Sequence, residues 1–268
     1  MIDYAAALKD LERDGYTIIR NVLTKDAVEA YRQECAKEFD TAPRLEGKVY
    51  VAGVTPNYVQ PWMIHGEKHI VASFRLYQFY HNPLAPNTKH IVDTIVGIRD
   101  TLEKRWPEIQ EYNRRNNLVD YNIVAKYAPT SGFQSIHKDA EGTLTHPALQ
   151  CEILLTEPGV DYKDGDLLLH LFDGRTVSTN EAQVHVGDLI VFDKRLDHEV
   201  TATLPVEGGK GRWMALIGAK TFPRKKRKLS QDLRLKISRS LFRNAPALHS
   251  FIKSLTGKKP AKDPFATY

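Results

Sequence analysis

Cysteine is scarce in this sequence: two in 268 residues, Cys35 and Cys151, far apart and without metal-type spacing. That excludes a disulfide framework and a thiolate zinc site, and it points to a reducing compartment. Both cysteines are expected as small core residues. No apolar run approaches the ~18 residues of a membrane-spanning helix. The opening Met1-Ile2-Asp3-Tyr4 lacks a basic stretch followed by an apolar one, so no secretory leader is expected and the chain reads as cytoplasmic. No internal repeat is visible, and low complexity is confined to one basic run, Arg224-Lys225-Lys226-Arg227-Lys228. With 42% hydrophobic and 26% charged residues, the composition excludes a disordered or fibrous chain and leaves a globular one with a substantial core.

Acidic residues are rare at one end. From Lys220 onward 14 Lys and Arg face 2 Asp and Glu, a net of +12; the whole chain carries +5, so the remainder carries −7. Within that tail Leu229, Leu233, Ile237 and Leu241 recur every fourth residue, and Ala245, Leu248, Ile252 and Leu255 continue the stripe past Pro246. The spacing predicts a basic amphipathic helix over 226–258. Such a helix either packs on the body or into a homo-oligomer, or makes a peripheral contact with an anionic membrane surface. The expected division is one domain over 1–223 and a basic helical extension over 224–268.

Tyr4, Leu8 and Leu11 predict a helix over 3–14, stopped by Gly15. Tyr16 to Val22 reads as a strand. Thr24 is an N-cap for a helix over about 25–39 that buries Ala27, Tyr31 and Cys35. Residues 40–65, with Gly47, Gly53, Pro56 and Pro61, are expected to be irregular. Ile91, Ile95, Ile98, Leu102 and Trp106 predict a helical stretch over about 86–116, which Pro107 splits. The aromatic cluster Phe74, Tyr77, Phe79 and Tyr80 reads as core, with the wall of a pocket as the alternative.

After Asn117 the hydrophobic period shifts from helix to strand. Strands are predicted over 118–127, 133–137, 148–156, 166–172, 183–186, 189–193, 198–204 and 212–219, with Gly, Pro and Asp turn signals between them. Eight short strands in quick succession imply a double-sheet jelly roll. The expected class is α+β with a mainly β core at about 118–220: a double-stranded, cupin-like β-helix flanked by N-terminal helices and followed by the basic tail.

Three places in that core carry chemistry. Ile136-His137-Lys138-Asp139 sets an imidazole and a carboxylate two positions apart, on the same face of a strand. That mixture suits Fe(II), which takes two His and one carboxylate on one face of an octahedron and keeps the other positions open. His198, opening Glu199-Val200-Thr201, can bring the second imidazole from another strand. Arg212 opens the apolar run Trp213-Met214-Ala215-Leu216-Ile217. A buried guanidinium needs a partner, and its fork matches a carboxylate. That partner is either a bound acid or an Asp or Glu of the chain itself.

In this order, a His-x-Asp, a distal His and a downstream Arg, the sequence resembles the iron(II)/2-oxoglutarate-dependent oxygenase superfamily. It is similar to the phytanoyl-CoA-dioxygenase-like and prolyl-hydroxylase-like groups. The likeness covers about 118–220, with the opening Asp14-Gly15-Tyr16 and Ile19-Arg20-Asn21-Val22 added. It implies His137, Asp139 and His198 as ligands of Fe(II), and 2-oxoglutarate and O₂ as cosubstrates, with ascorbate as an accessory reductant. It also implies Arg212 on the distal carboxylate of 2-oxoglutarate, Tyr127 as a hydrogen-bonding aromatic beside it, and Gln150 as a further candidate. The implied reaction is hydroxylation of a small or medium-sized metabolite with release of succinate and CO₂; desaturation, epimerisation and cyclisation use the same iron site and stay open.

Two departures from the family pattern bear on the anchor. Met214 stands where many members place a Ser or Thr as second donor, and Lys210 is an alternative cation. Asp139 disfavours halogenation, because halogenases carry a small residue there. Gly218 stands where nucleic-acid demethylases of the superfamily place a second Arg, and with the acidic body it argues against a nucleic-acid partner. Alternatives are an oxygenase acting on a membrane-associated glycolipid through the tail, a non-catalytic cupin-like metal-binding protein, and an interaction protein working through its tail.

Overall fold

The structure, a computed structural model, describes residues 2–45, 54–60, 73–115, 118–127, 132–139 and 148–221. The chain divides after Pro223, and all of these residues belong to the first unit. The expected tail helix over 226–258 lies outside the described residues.

The N-terminal part is helical where the sequence pattern asks for it. Helix α1 (Tyr4–Asp14) starts at Asp3, whose side chain accepts the Ala6 N–H, and ends at Gly15. Strand β1 (Tyr16–Ile19) follows. Helix α2 (Lys25–Thr41) is capped by Thr24 and buries Val28, Tyr31, Cys35 and Phe39. Helices α3 (Pro86–Glu103) and α4 (Pro107–Arg115) are separate, broken ahead of Pro107 as its missing N–H requires. Between α2 and α3 lie two strands that the irregular reading of 40–65 and the core reading of the aromatics passed over: β2 (Tyr58–Gln60) and β3 (Ser73–Phe79).

The remaining strands are β4 (Val119–Tyr127), β5 (Gln134–His137), β6 (Leu149–Leu154), β7 (Tyr162–Asp164), β8 (Leu167–His170), β9 (Thr176–Ser178), β10 (Leu189–Asp193), β11 (Asp197–Val200), β12 (Thr203–Pro205) and β13 (Trp213–Thr221). They form a seven-stranded sheet in the order β1-β10-β6-β13-β4-β3-β2, a four-stranded sheet β5-β11-β8-β9 and a pair β12-β7. Every neighbouring pair of these strands is antiparallel. Two predicted strands change. Residues 183–186 form turns, with Gln183 at φ 51 and its N–H on the Asn180 carbonyl. The 198–204 strand splits, because after Val200 the chain leaves the small sheet and Thr203 pairs with Asp164.

The large sheet has two buried faces, and the alternation of side chains sorts them. One face carries Leu76, Val124, Cys151, Ile153, Val191, Ala215 and Ile217, packed with the buried sides of α2 and α3. Burying a Leu, Ile or Val side chain there stabilises by roughly 1.5–3 kcal/mol. Both cysteines are free and buried in this layer. The other face carries Ala125, Tyr127, Leu154, Ile190, Phe192 and Met214, packed with Leu167, Leu169 and Val200 of the small sheet. The aromatic cluster is shared out: Tyr77 and Phe79 belong to the inner side with Tyr58, whereas Phe74 and Tyr80 pack with the helices. Strand β6 is buried throughout, yet its inward positions include Gln150 and Glu152. Polar groups are buried at such cost only where something holds them, and they mark the interior that the site occupies.

Candidate metal centre and carboxylate anchor

Register brings the two imidazoles together: His198 on β11 is paired with His137 on β5. Their ring centroids are 4.2 Å apart, and Phe192 meets the His198 ring edge-on at 5.0 Å. Each ring has its Nδ1 next to a backbone carbonyl two residues back, Ser135 at 3.0 Å for His137 and Leu196 at 3.1 Å for His198. Donation of Nδ1–H to these carbonyls would make Nε2 of each ring the ligand atom. Asp139 completes the set, with carboxylate oxygens 3.7 Å from His137 Nε2 and 3.5 Å from His198 Nε2. One ligand atom from each of the three lies within 4.8 Å of the others. Asp139 sits past the end of β5, in the following loop and not on the strand as predicted, and its side chain is 37% exposed.

Electrostatics suit a cation at that point. Burial alone would raise the Asp139 carboxyl, but a hydrogen bond from His198 and the charges of both imidazoles hold it far below the usual carboxylate range. Burial would lower His198; the hydrogen bond and charge of Asp139, with Glu152 behind it, raise it instead. Two imidazoles and a carboxylate form the donor set that Fe(II) takes.

Arg212 lies just ahead of β13 and is 1% exposed. Its Nε donates to the Gly165 carbonyl at 2.6 Å, and its guanidinium stacks on Tyr127 at 4.5 Å. Tyr162 packs beside it: burial raises the Tyr162 hydroxyl, and the Arg212 charge pulls it back. No carboxylate pairs with Arg212 among the described residues, and its Nη1 is buried without a hydrogen-bond partner. Among the described residues, then, no internal Asp or Glu serves as that partner. A buried donor left unmade costs about 1–3 kcal/mol, more when charged, which fits a bound carboxylate as the missing acceptor. Thr203 Oγ1 is buried and unpartnered too. A methyl group at Gly165 would lie 2.8 Å from both Arg212 Cδ and Thr203 Oγ1, so these two line one small space. Lys210 is turned away, to Glu29 at 3.3 Å on the exterior.

The other two expected residues connect the anchor to the metal point. Tyr127 is 1% exposed, with its hydroxyl 3.4 Å from Gln134 Oε1 and 3.8 Å from Met214 Sδ. Gln134 Nε2 in turn is 2.5 Å from His137 Nε2. Gln150 is buried and donates to Glu152 at 3.1 Å. It also helps hold the Asp139 carboxyl low. Residues missed from sequence are Gln134, Glu152 and Thr203, and on β3 Arg75, whose Nη2 donates to Gln134 Oε1 at 2.6 Å.

Comparison with known proteins bears on this geometry. A family model described as "Oxygenase, catalysing oxidative methylation of damaged DNA" matches residues 75–221. No curated protein sequence matches significantly. Among solved structures, a Pseudomonas putida prolyl-4-hydroxylase aligns at TM-score 0.54 and 19% identity, over 83% of this chain and 100% of that one. This likeness is one of fold. The carbocyclase SnoK from nogalamycin biosynthesis, α-ketoglutarate-dependent, aligns at TM-score 0.49 and 15% identity, over 85% of this chain and 89% of that one. A Trichoplax adhaerens prolyl hydroxylase bound to a peptide fragment aligns at 0.46 and 17% identity, over 82% and 89%. The fold is the double-stranded β-helix, and with the family match over more than half its length the chain belongs to that oxygenase family, within the iron(II)- and 2-oxoglutarate-dependent superfamily.

Proposed function

We propose that this oxygenase hydroxylates a small or medium-sized organic substrate, with His137, Asp139 and His198 as the Fe(II) ligands and Arg212 as the anchor for the distal carboxylate of 2-oxoglutarate. One observation carries the proposal. A buried guanidinium unpaired at Nη1 is joined through Tyr127 and Gln134 to a cluster of two imidazoles and a carboxylate. When bound, iron with 2-oxoglutarate and O₂ supplies the oxidising equivalent and yields succinate and CO₂.

The chain's own residues do the positioning. The carbonyls of Ser135 and Leu196 fix both imidazoles with Nε2 toward the metal point. Arg212 presents a charged donor, and Thr203 is the second donor that Met214 cannot be. Tyr127 supports the guanidinium through its ring and has only long hydroxyl contacts at 3.4 and 3.8 Å, so the hydroxyl can turn to a cosubstrate. Leu154, Leu167, Leu169 and Phe192 make the surrounding apolar interior, which keeps water from competing. On this reading residues 1–223 are the working oxygenase domain, cytoplasmic, and 224–268 an accessory basic extension.

The test is an anaerobic titration. Fe(II) with 2-oxoglutarate should give a visible metal-to-ligand absorption band in the wild-type protein, followed by succinate release on admitting O₂. Asp139→Ala and His198→Ala should abolish both. Undiminished turnover in either variant would sink the ligand assignment.

A second reading has one observation in its favour: the matching family is described as acting on damaged DNA. Arg224 to Lys228 would then supply phosphate contacts. The net −7 on the rest of the chain and Gly218 in place of a second Arg favour the small substrate. Succinate release stimulated by an alkylated oligonucleotide, and falling steeply with added salt, would decide for DNA.

A further inference from the structure

The inner face of the large sheet holds a second set of unsatisfied polar groups, on the opposite side of Tyr127 and Gln134 from Arg212. Arg75 on β3 is half-buried, with Nε 3.2 Å from Ser73 Oγ and Nη2 2.6 Å from Gln134 Oε1. No carboxylate pairs with it among the described residues, although it lies within electrostatic reach of Asp139 and Tyr127. Gln60 on β2 stands directly across from Arg75, and Tyr58 across from Tyr77. Gln60 is 1% exposed, and both its Nε2 and its Oε1 are buried with no hydrogen-bond partner. Tyr77, 2% exposed and two residues from Arg75 on the same face, has its hydroxyl beside the Arg75 guanidinium.

Cross-strand neighbours on one face have Cβ atoms about 5 Å apart, so guanidinium, carboxamide and phenol belong to one patch. Buried polar groups find partners in nearly all native proteins. Here both polar atoms of Gln60 lack them among the described residues, and the patch is reached from the metal point through Gln134. Next to it is an aromatic wall: Tyr58 stacks on Tyr77 at 4.9 Å, Tyr77 on Tyr121 at 6.1 Å, and Phe79 on Tyr121 at 6.0 Å.

We infer that Arg75, Gln60 and Tyr77 form the substrate-recognition subsite, and that it takes the carboxylate of a monoanionic acid with an apolar or aromatic body. The inference rests on the oxygenase reading of the site and names the substrate class for it. The donors are a planar fork, an amide NH₂ and a hydroxyl, which together match a planar carboxylate. A single cation with Asp139 nearby does not balance a phosphate dianion. The carboxylate end of the acid would then be held beside the metal point, with its body along the aromatic wall.

The experiment uses the full chain with Fe(II) and 2-oxoglutarate under anaerobic conditions. 3-Phenylpropionate and its neutral isostere 3-phenylpropanamide are titrated in, followed by calorimetry and by the visible band. The acid should bind at least about tenfold more tightly than the amide, the scale of one charge-assisted pair. Gln60→Leu should remove that preference while leaving the 2-oxoglutarate midpoint in place, and Arg75→Gln should remove it too. Equal binding of acid and amide by a wild-type protein with a normal band overturns the inference. So does a 2-oxoglutarate midpoint that shifts in Arg75→Gln as far as in an Arg212 variant, since Arg75 would then serve the cosubstrate. If the band is absent altogether, the cosubstrate assignment fails on its own, and calorimetry with the two probes still decides the carboxylate patch.

Discussion

His137 and His198 face each other as a register pair, and each has its Nδ1 next to the carbonyl two residues before it. The backbone thus favours Nδ1–H on each ring, the tautomer that frees Nε2 for a metal. Loss of a supporting group around a metal typically costs about 10–100-fold in affinity, and loss of a ligand should cost at least the upper end of that range. We expect His137→Ala and His198→Ala each to weaken Co(II) binding by at least about 100-fold. The visible spectrum of the Co(II) protein reads this without turnover. A variant that keeps the wild-type spectrum and midpoint would remove that histidine from the set.

Arg212 should separate cosubstrate binding from metal binding. Its side chain is held by the Gly165 carbonyl and the Tyr127 face, with Nη1 left over. Arg212→Leu should raise the KM for 2-oxoglutarate by about 10–100-fold, as expected for a charged hydrogen bond worth ~1.5–3 kcal/mol, and leave the Co(II) spectrum unchanged. Arg212→Lys should recover little, because a point charge cannot both meet the Gly165 carbonyl and reach forward. Full recovery by Lys would mean that charge alone matters there.

Gly165 tests the shape of the same space. Its φ is +59°, and an added methyl would lie 2.8 Å from Arg212 Cδ and 2.8 Å from Thr203 Oγ1. Gly165→Ala should cost roughly 1–3 kcal/mol of stability through backbone strain and crowding. It should also raise the KM for 2-oxoglutarate, since both proposed donors must move. Thr203→Val should raise that KM with little change in Tm. If Gly165→Ala lowers Tm but leaves the KM alone, the donors are not where the cosubstrate binds.

His137, His198 and Arg212 were legible because each stands in a run whose strand character is local: Gln134 to His137, Asp197 to Val200, and the apolar stretch after Arg212. Asp139 was legible as chemistry but not as geometry, because a strand end is set by pairing with β11 and not by the residues themselves. Thr203 was hidden inside one predicted strand, which tertiary pairing with Asp164 cuts in two. Arg75 and Gln60 were missed for another reason. Strand β2 is three residues long in a Gly- and Pro-containing stretch, and β3 gains its place by pairing with β4, from Ser73 with Tyr127 to Phe79 with Tyr121. Which face of such a strand looks inward depends on that register, and no local pattern encodes it.

The clamp at Asp188 predicts how the fold responds to acid. Its Oδ1 accepts the Asn21 N–H at 2.9 Å; its Oδ2 accepts Arg20 Nη1 at 2.8 Å and the His185 N–H at 3.1 Å. This ties the end of β1 to the turn before β10, and the carboxylate is 5% exposed. Burial pushes its pKa up, but the Asn21, Arg20 and His185 donors pull it below the ordinary 3.8. A carboxyl depressed on folding stabilises the native state above its unfolded value, and that contribution fades as pH falls through the folded value. Asp188→Asn should therefore cost about 1.5–3 kcal/mol at neutral pH, the range for hydrogen bonds to a charged group. The gap between wild type and variant should narrow steadily as pH falls from about 5 to below 3. Urea denaturation of the metal-free protein at a series of pH values measures it. A gap that stays constant down to the acid limit would mean that Asp188 acts by shape and not by charge, because an uncharged carboxyl would then hold the Arg20 and Asn21 donors equally well.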